Sequence, residues 1–311
     1  MKLLWIILGI SLFLLLTVLA VSFLCFRMAF YSPKRRPGPD DPIETPEGAI
    51  YDAFRDQMVA WAQEARAMPW RPYELRSFDG LKLTAKYYEY SPESVIELMF
   101  HGYRGNAERD LSGGVQRCFA LGRSSFIVDQ RGCGGSEGSV ICFGINEHRD
   151  CLAWVELVRR EFPGRKIILT GISMGASTVM CCADKDLPEE VIGILADCGY
   201  DSAEHIIKKV IRQLKLPAGL AYPFVKLGAR LFGRFDLEEL TPLEALKAAK
   251  VPVIFFHGEE DDFVPCGMSR ACFDACASRK RLVTIPGAGH GLSYPVDPER
   301  YLKEAGEFFK N

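Results

Sequence analysis

A predominantly apolar run extends from Leu3 to Phe26, with no charge and no proline. At 1.5 Å per residue the run spans about 36 Å, enough to cross the hydrocarbon core of a bilayer. Beyond it the pattern changes to short apolar runs set between amphipathic stretches. Residues 74–77 and 81–88 alternate apolar and polar positions around Asp79-Gly80, which predicts a hairpin. Compact apolar runs at 95–100, 125–128, 166–170, 191–196, 251–256 and 281–285 each predict a buried strand. Helical spacing fills the intervals at 111–121, 145–162, 174–182 and 268–277, and again from Pro298, with an irregular helical stretch after 196. Strands alternating with helices imply a mostly parallel sheet covered on both faces. In such a sheet the reactive groups belong in loops at the carboxyl ends of strands.

Charge and composition add an address. Lys2 precedes the apolar run, while Arg27, Lys34, Arg35 and Arg36 follow it. That asymmetry favours an uncleaved anchor with the rest of the chain in the cytoplasm. A cleaved signal peptide fits less well, because its apolar core is shorter and the small-residue site near Ala20 lies inside the run. Five prolines between Pro33 and Pro46 read as a stiff, solvated linker. Thr45-Pro46 reads as a helix cap and first helical position, leading a helix through Tyr51, Phe54, Met58 and Trp61 along the domain edge. The divisions expected are an anchor at 1–31, linker and peripheral helix at 32–72, and one α/β domain at 73–311. Eleven cysteines, an odd number scattered over strands, helices and loops, read as reduced thiols and not as a disulfide framework. Cys266, Cys272 and Cys276 read as helix-packing thiols, so no metal is expected, nor any cofactor. A net charge of −2 gives no nucleic-acid footprint.

Two serines fit Gly-x-Ser-x-Gly, namely Ser173 and Ser136. The chemistry needs a strand before the serine and a helix after it, so that Oγ stands clear of the backbone and the helix dipole faces the developing oxyanion. Ser173 follows the run Lys166–Thr170 and opens into Met174–Cys182, which contains no proline. Ser136 sits among Gly132, Gly134, Gly135 and Gly138, with no helical pattern until about Asn146. Ser173 is therefore the candidate nucleophile, and 129–144 is read as a loop.

A serine nucleophile needs a base, and the base needs an orienting carboxylate. Of five histidines, His148 and His205 fall inside predicted helices, and His101 and His257 end strands. His290, in Gly287-Ala288-Gly289-His290-Gly291 after the last strand, stands where the base belongs in the order nucleophile, acid, base. Glu259, Glu260, Asp261 and Asp262 follow the preceding strand, and spacing leaves Asp261 and Asp262 both open. Two oxyanion donors are expected: the Met174 amide at the helix start, and the Tyr103 amide in the loop His101-Gly102-Tyr103-Arg104-Gly105-Asn106.

With these parts in order, the chain resembles the α/β-hydrolase superfamily throughout its length after the anchor. It looks most like the serine-aminopeptidase-like and monoacylglycerol-lipase-like branch, and like bacterial members with an N-terminal membrane anchor. The matching motifs are His101–Asn106, Asp129–Gly138, the Ser173 elbow, His257–Pro265 and Gly289–Gly291. The resemblance implies an α/β-hydrolase fold with a short helical cap at about 200–248. It implies that Asp261 is the acid, and that 129–138 is a structural turn beside the site. It also implies hydrolysis of esters, lipids or some peptides, without fixing the substrate.

From Ile206 to Phe235 the cap carries seven cations and no acid. Lys226, Arg230 and Arg234 fall at i, i+4 and i+8, which predicts one basic helix face able to lie on anionic headgroups. The expected function is a membrane-anchored serine hydrolase of carboxylic esters, lipid acyl esters among them. A peptidase acting on short or N-terminal peptides is the second reading. It wants an acid for the substrate amine, which the central cap does not offer. A non-catalytic scaffold is disfavoured by the intact Ser, Asp and His. A dinucleotide site is disfavoured by Glu137, which stands where a glycine is needed.

Overall fold

The computed structural model describes residues 1–33 and 41–310. Eight strands, β1 (Arg71–Arg76), β2 (Lys82–Tyr88), β3 (Ile96–Phe100), β4 (Ser124–Asp129), β5 (Ile167–Ile172), β6 (Val191–Asp197), β7 (Val253–Gly258) and β8 (Lys280–Ile285), form one sheet in the order β1-β2-β4-β3-β5-β6-β7-β8. β1 with β2 and β2 with β4 pair antiparallel, and every later pair is parallel. The predicted hairpin is therefore the β1–β2 edge. β3 and β7 are buried along their whole length, which is why their sequences are continuous apolar runs.

The helices are α1 (Lys2–Ala29), α2 (Arg55–Ala67), α3 (Ala107–Ala120), α4 (Glu147–Glu161), α5 (Met174–Met180), α6 (Ala203–Gln213), α7 (Ala218–Gly228), α8 (Pro242–Lys247), α9 (Cys266–Ala275), α10 (Ser293–Val296) and α11 (Pro298–Phe308). Asn106, Ser202, Thr241 and Asp297 cap α3, α6, α8 and α11 by accepting a backbone N–H three residues on. One apolar core, around Leu98, Phe126, Trp154 and Leu169, lies on one sheet face. The other face is closed by α3 and α11, with Met99, Ile127, Phe256 and Tyr301 between.

Three expectations change. Thr45-Pro46 does not open a helix. Gly48, at φ 126°, breaks the chain, and a 3-10 turn over Ala49–Phe54 then leads into α2. Thr45 Oγ1 instead accepts from Arg55 Nη1 at 2.8 Å. The rest of the expected linker, residues 34–40, lies outside the described residues, and β1 begins two residues before the expected domain start.

The second change concerns the basic cap. α7 stops at Gly228, a π turn covers Ala229–Gly233, and Arg234 is left-handed at φ 60°. Lys226, Arg230 and Arg234 therefore do not share one face of a single α-helix. Lys226 is also paired with Glu238, which folds back from beyond the acid-free stretch.

The third concerns the anchor. Residues 2–17 are exposed, but Ser22, Phe26 and Phe30 are buried against α7 and the π turn. Gly228 permits this contact, because a Cβ there would stand 2.4 Å from the Ser22 carbonyl oxygen. Phe30 packs edge-on to both Phe143 and Phe235, and the Ile141 N–H donates to the Phe30 carbonyl at 2.8 Å. The last two turns of α1 thus belong to the cap core and are not a free tether.

Candidate active site

Strand β5 delivers Ser173 into a sharp turn. Its backbone sits at φ 55° and ψ −119°, a strained setting for a residue with a side chain. The turn closes only because its flanks are glycines. A Cβ on Gly171 would lie 2.2 Å from the Gly175 carbonyl carbon, and one on Gly175 would lie 2.0 Å from the Phe100 oxygen. Met174 is the first residue of α5, so its N–H has no partner within the helix and faces outward from the turn.

His290 Nε2 lies 2.9 Å from Ser173 Oγ, and His290 Nδ1 lies 2.7 Å from Asp261 Oδ2. Asp261 is held in turn: its Oδ1 accepts the N–H groups of Phe263 at 3.0 Å and Val264 at 2.8 Å. Burial pushes the Asp261 carboxyl up, but bonds from His257 and His290 outweigh it and hold the group at about 2. Of the two aspartates left open by spacing, Asp261 is buried and turned inward, while Asp262 is exposed. The Phe263 ring meets the His290 imidazole edge-on at 5.0 Å and fixes its plane.

His257 is the residue that sequence reasoning passed over. It is fully buried, with Nδ1 2.7 Å from Ser269 Oγ and Nε2 2.7 Å from the Val264 carbonyl. A carbonyl only accepts, so Nε2 carries the proton, which also points at Asp261 Oδ2, 3.2 Å away. His257 therefore braces Asp261 from behind. Its place at the end of β7, four residues before Asp261, was the available signal.

Ser136 lies elsewhere. It is buried, donates to the Asp129 carbonyl at 2.5 Å and accepts the Thr84 N–H at 2.9 Å. Asp129 in turn holds the N–H groups of Ala107 and Gly135, so the 129–138 loop is a hydrogen-bonded turn.

Tyr103 lies beside Ser173 on the rim of the pocket, in a loop whose Gly102 N–H is held by Asp110 Oδ2 at 3.0 Å. The pocket is a cavity of about 550 Å³, within the range of small-molecule sites. Ser173, His290 and Tyr103 stand on its wall, and Met58, Trp61, Met99, Leu111, Leu195 and Tyr294 are among its apolar lining. Among the described residues, none from α6, α7 or the π turn lines it. The roof is the 3-10 turn and α2, with Trp61 stacked on Tyr294 at 5.6 Å. The peripheral helix expected at the domain edge is thus the cover of the cavity, and the cap spends its apolar surface on the end of α1.

All eleven cysteines are free, nine of them buried. Burial raises the Cys118, Cys133, Cys142 and Cys272 thiols, which makes them poor nucleophiles.

The model of the alpha/beta hydrolase family matches residues 98–304. An uncharacterised protein of Bacillus subtilis, YqkD, is 26% identical over 223 residues, covering 71% of this chain and 72% of its own. Protein bem46 of Schizosaccharomyces pombe is 27% identical over 230 residues, 72% of this chain and 71% of its own. An uncharacterised membrane protein of Saccharomyces cerevisiae, YNL320W, is 28% identical over 178 residues, 55% of each chain. Among solved structures, the Pyrococcus furiosus esterase Pf2001 superposes with a TM-score of 0.64 at 20% identity, covering 86% of this chain and 98% of the esterase. The acylaminoacyl peptidase of Pyrococcus horikoshii reaches 0.58 at 18% identity, covering 78% of this chain and 41% of the peptidase. At these identities the structural likeness is one of fold. The family match runs from β3 through α11, across the sheet, the Ser173 elbow and the loops that carry Asp261 and His290: this chain belongs to the alpha/beta hydrolase family.

Proposed function

We propose that this protein is a membrane-anchored serine hydrolase of carboxylic esters, with Ser173 as nucleophile, His290 as base and Asp261 as the orienting acid. The observation that carries the reading is the hydrogen-bonded line from Ser173 Oγ through His290 to Asp261, at the wall of an apolar cavity. His290 Nε2 takes the Ser173 proton as Oγ attacks the ester carbonyl. Asp261 keeps the proton on Nδ1 and stabilises the imidazolium that forms. The Met174 and Tyr103 amides receive the oxyanion. His290 then hands its proton to the departing alcohol, and a water repeats the sequence on the acyl-enzyme.

An apolar wall suits an acyl chain better than a substrate amine, which favours esters over the peptidase reading. Phe263, at the mouth, and Tyr103 would flank the leaving group.

Anchoring rests on α1, the one described helix long and apolar enough to cross a membrane. Its freely exposed part, residues 2–17, is about 24 Å long, whereas a bilayer core is about 30 Å thick. Spanning it would bring the cap down to the lipid interface. Leu214, Leu216, Leu220 and Leu231, all exposed on the cap, suit that level. The charges after the span favour a cytoplasmic catalytic domain.

The test is fluorophosphonate labelling of the purified full chain, with the modified peptide identified by mass spectrometry, together with turnover of a panel of p-nitrophenyl esters. Labelling of Ser173 and ester turnover are expected. Absence of both sinks the reading.

A further inference from the structure

The cavity does not end at Ser173. It continues along the sheet face between α3 and α11 to Thr170, Leu195, Asp197 and Arg117. Thr170 pairs with Met99 on one side and Leu195 on the other, so the three form one row across the sheet. Thr170 lies three residues before Ser173, about 10 Å back along β5 at 3.3 Å per residue. Gly113 and Gly114 let α3 pack closely on Trp61 and Met99 at the cavity wall. A Cβ on Gly113 would stand 2.6 Å from the Trp61 ring, and one on Gly114 would stand 3.0 Å from Met99 Sδ.

Arg117 is charged and buried at 3% exposure on this wall. Its Nη2 is paired with Glu97. The Glu97 carboxylate already has other donors: Oε1 takes Arg123 Nη1 at 2.6 Å, and Oε2 also takes Thr170 Oγ1 at 3.0 Å. Asp197 is occupied too, by Ser293 Oγ at 2.9 Å and Tyr301 OH at 3.0 Å. Arg117 Nη1 is left buried without any hydrogen-bond partner. An unpaired guanidinium N–H is among the costliest groups to bury, because it gives up water and gains nothing.

We propose that Arg117 Nη1 is the anchor of a distal subsite, and that the acyl chain of the substrate carries an acceptor oxygen at its far end, a carbonyl or a carboxylate. This rests on the esterase reading and sharpens it. The acyl carbonyl sits at Ser173, the chain lies against Met99, Leu195 and Trp61, and the terminal oxygen accepts from Nη1. A methyl-ended chain of the same length would fill the channel and leave the donor unpaired. A site built around a buried hydrogen-bonding group discriminates strongly against the analogue that lacks the partner.

The test uses the full-length protein and p-nitrophenyl esters of straight-chain acids of increasing length, each with a methyl, a methyl-ketone or a carboxylate terminus. At one length, the ketone- or carboxylate-ended ester should show kcat/KM at least about tenfold above its methyl-ended counterpart. The two oxygen arms tell whether a neutral acceptor suffices or a charge is needed. Arg117→Lys keeps a cation beside Glu97 but loses the forked donor, and should reduce that ratio about tenfold whatever happens to the absolute rates. If methyl-ended esters match or beat the others at every length, the subsite is wrong; this arm needs no variant and so survives a folding defect in Arg117→Lys. A ratio unchanged in Arg117→Lys overturns it as well. Failure to hydrolyse any ester, with no fluorophosphonate label on Ser173, is the separate outcome that removes the esterase reading itself.

Discussion

The hydroxyl of Tyr103 donates a 2.8 Å hydrogen bond to the carbonyl of Ala29. Beside it, Arg104 Nη2 donates to the carbonyls of Met28 at 2.8 Å and Tyr31 at 2.9 Å. These acceptors are the unsatisfied carbonyls at the end of α1, and the donors belong to the loop proposed to hold the oxyanion. Arg104 sits at φ 54°, so the loop is held in a conformation it would not choose alone. The end of the proposed membrane anchor is thereby part of the frame of the candidate site.

Deleting residues 1–33 should therefore cost activity beyond any loss of membrane binding. It removes Phe26 and Phe30 from the cap core together with the acceptors of Tyr103 and Arg104. A loop displaced by an ångström costs about a hundredfold in rate. Deleting residues 2–16, which touch nothing, should leave kcat on a small water-soluble ester unchanged. Equal kcat for the two deletions would show that the loop holds itself.

Ser173→Ala should lower turnover by about a million-fold, since a nucleophile and its base act as a unit. Ser136→Ala should instead lower stability by about 1–3 kcal/mol, because it strips partners from the Asp129 carbonyl and the Thr84 N–H. Paired measurements of kcat and Tm separate the two. Loss of activity in a stable Ser136→Ala protein would reverse the assignment.

Asp261→Asn should cost on the order of ten-thousand-fold in kcat by letting His290 adopt the wrong tautomer, whereas Asp262→Asn should cost little. His257→Phe should fall between them, since it removes the brace on Asp261 and leaves Ser269 Oγ without that partner. Wild-type rates for Asp261→Asn would move the acid elsewhere.

Stability should fall in acid through two carboxyls. Burial raises both Glu97 and Asp261, but their partners bring each down to about 2, below the usual carboxylate range. A group depressed on folding contributes stability that is complete above its unfolded pKa and fades as pH drops through the folded one. Urea midpoints should hold down to about pH 4.5 and decline toward pH 2. The decline should be shallower in Glu97→Gln, though that variant will start lower because it leaves Arg117 and Arg123 without their counter-ion. An identical acid limb in both proteins would contradict the assignment.

Topology can be read at one cysteine. Cys266 is partly exposed on α9, far from the span, while nine other thiols are buried. An impermeant maleimide should label Cys266 only after cells are lysed if the catalytic domain is cytoplasmic. Labelling of intact cells would place the domain outside.

What the sequence determined by itself was whatever depends on short-range pattern. Apolar runs set between helical stretches were enough for the strands and a mostly parallel sheet, because side-chain periodicity follows directly from strand and helix geometry. Gly171, Ser173 and Gly175 located the elbow, because contacts within one turn admit no Cβ. His290 was nominated from chain order alone, and the fold sets it between Ser173 and Asp261. Spacing could not separate Asp261 from Asp262, adjacent residues whose roles depend on which one turns inward. His257 was missed because its partners, Ser269 and Val264, come together only once α9 packs on β7. The basic stripe failed because i, i+4 spacing presumes an unbroken α-helix, and the π turn after Gly228 changes the angle per residue. The roof of the cavity and the clasp on α1 were decided by tertiary packing. Trp61 meets Gly113, and Gly228 meets Ser22, across separations of 52 and 206 positions. No local pattern carries such a contact, because each half satisfies its own helix equally well without the other.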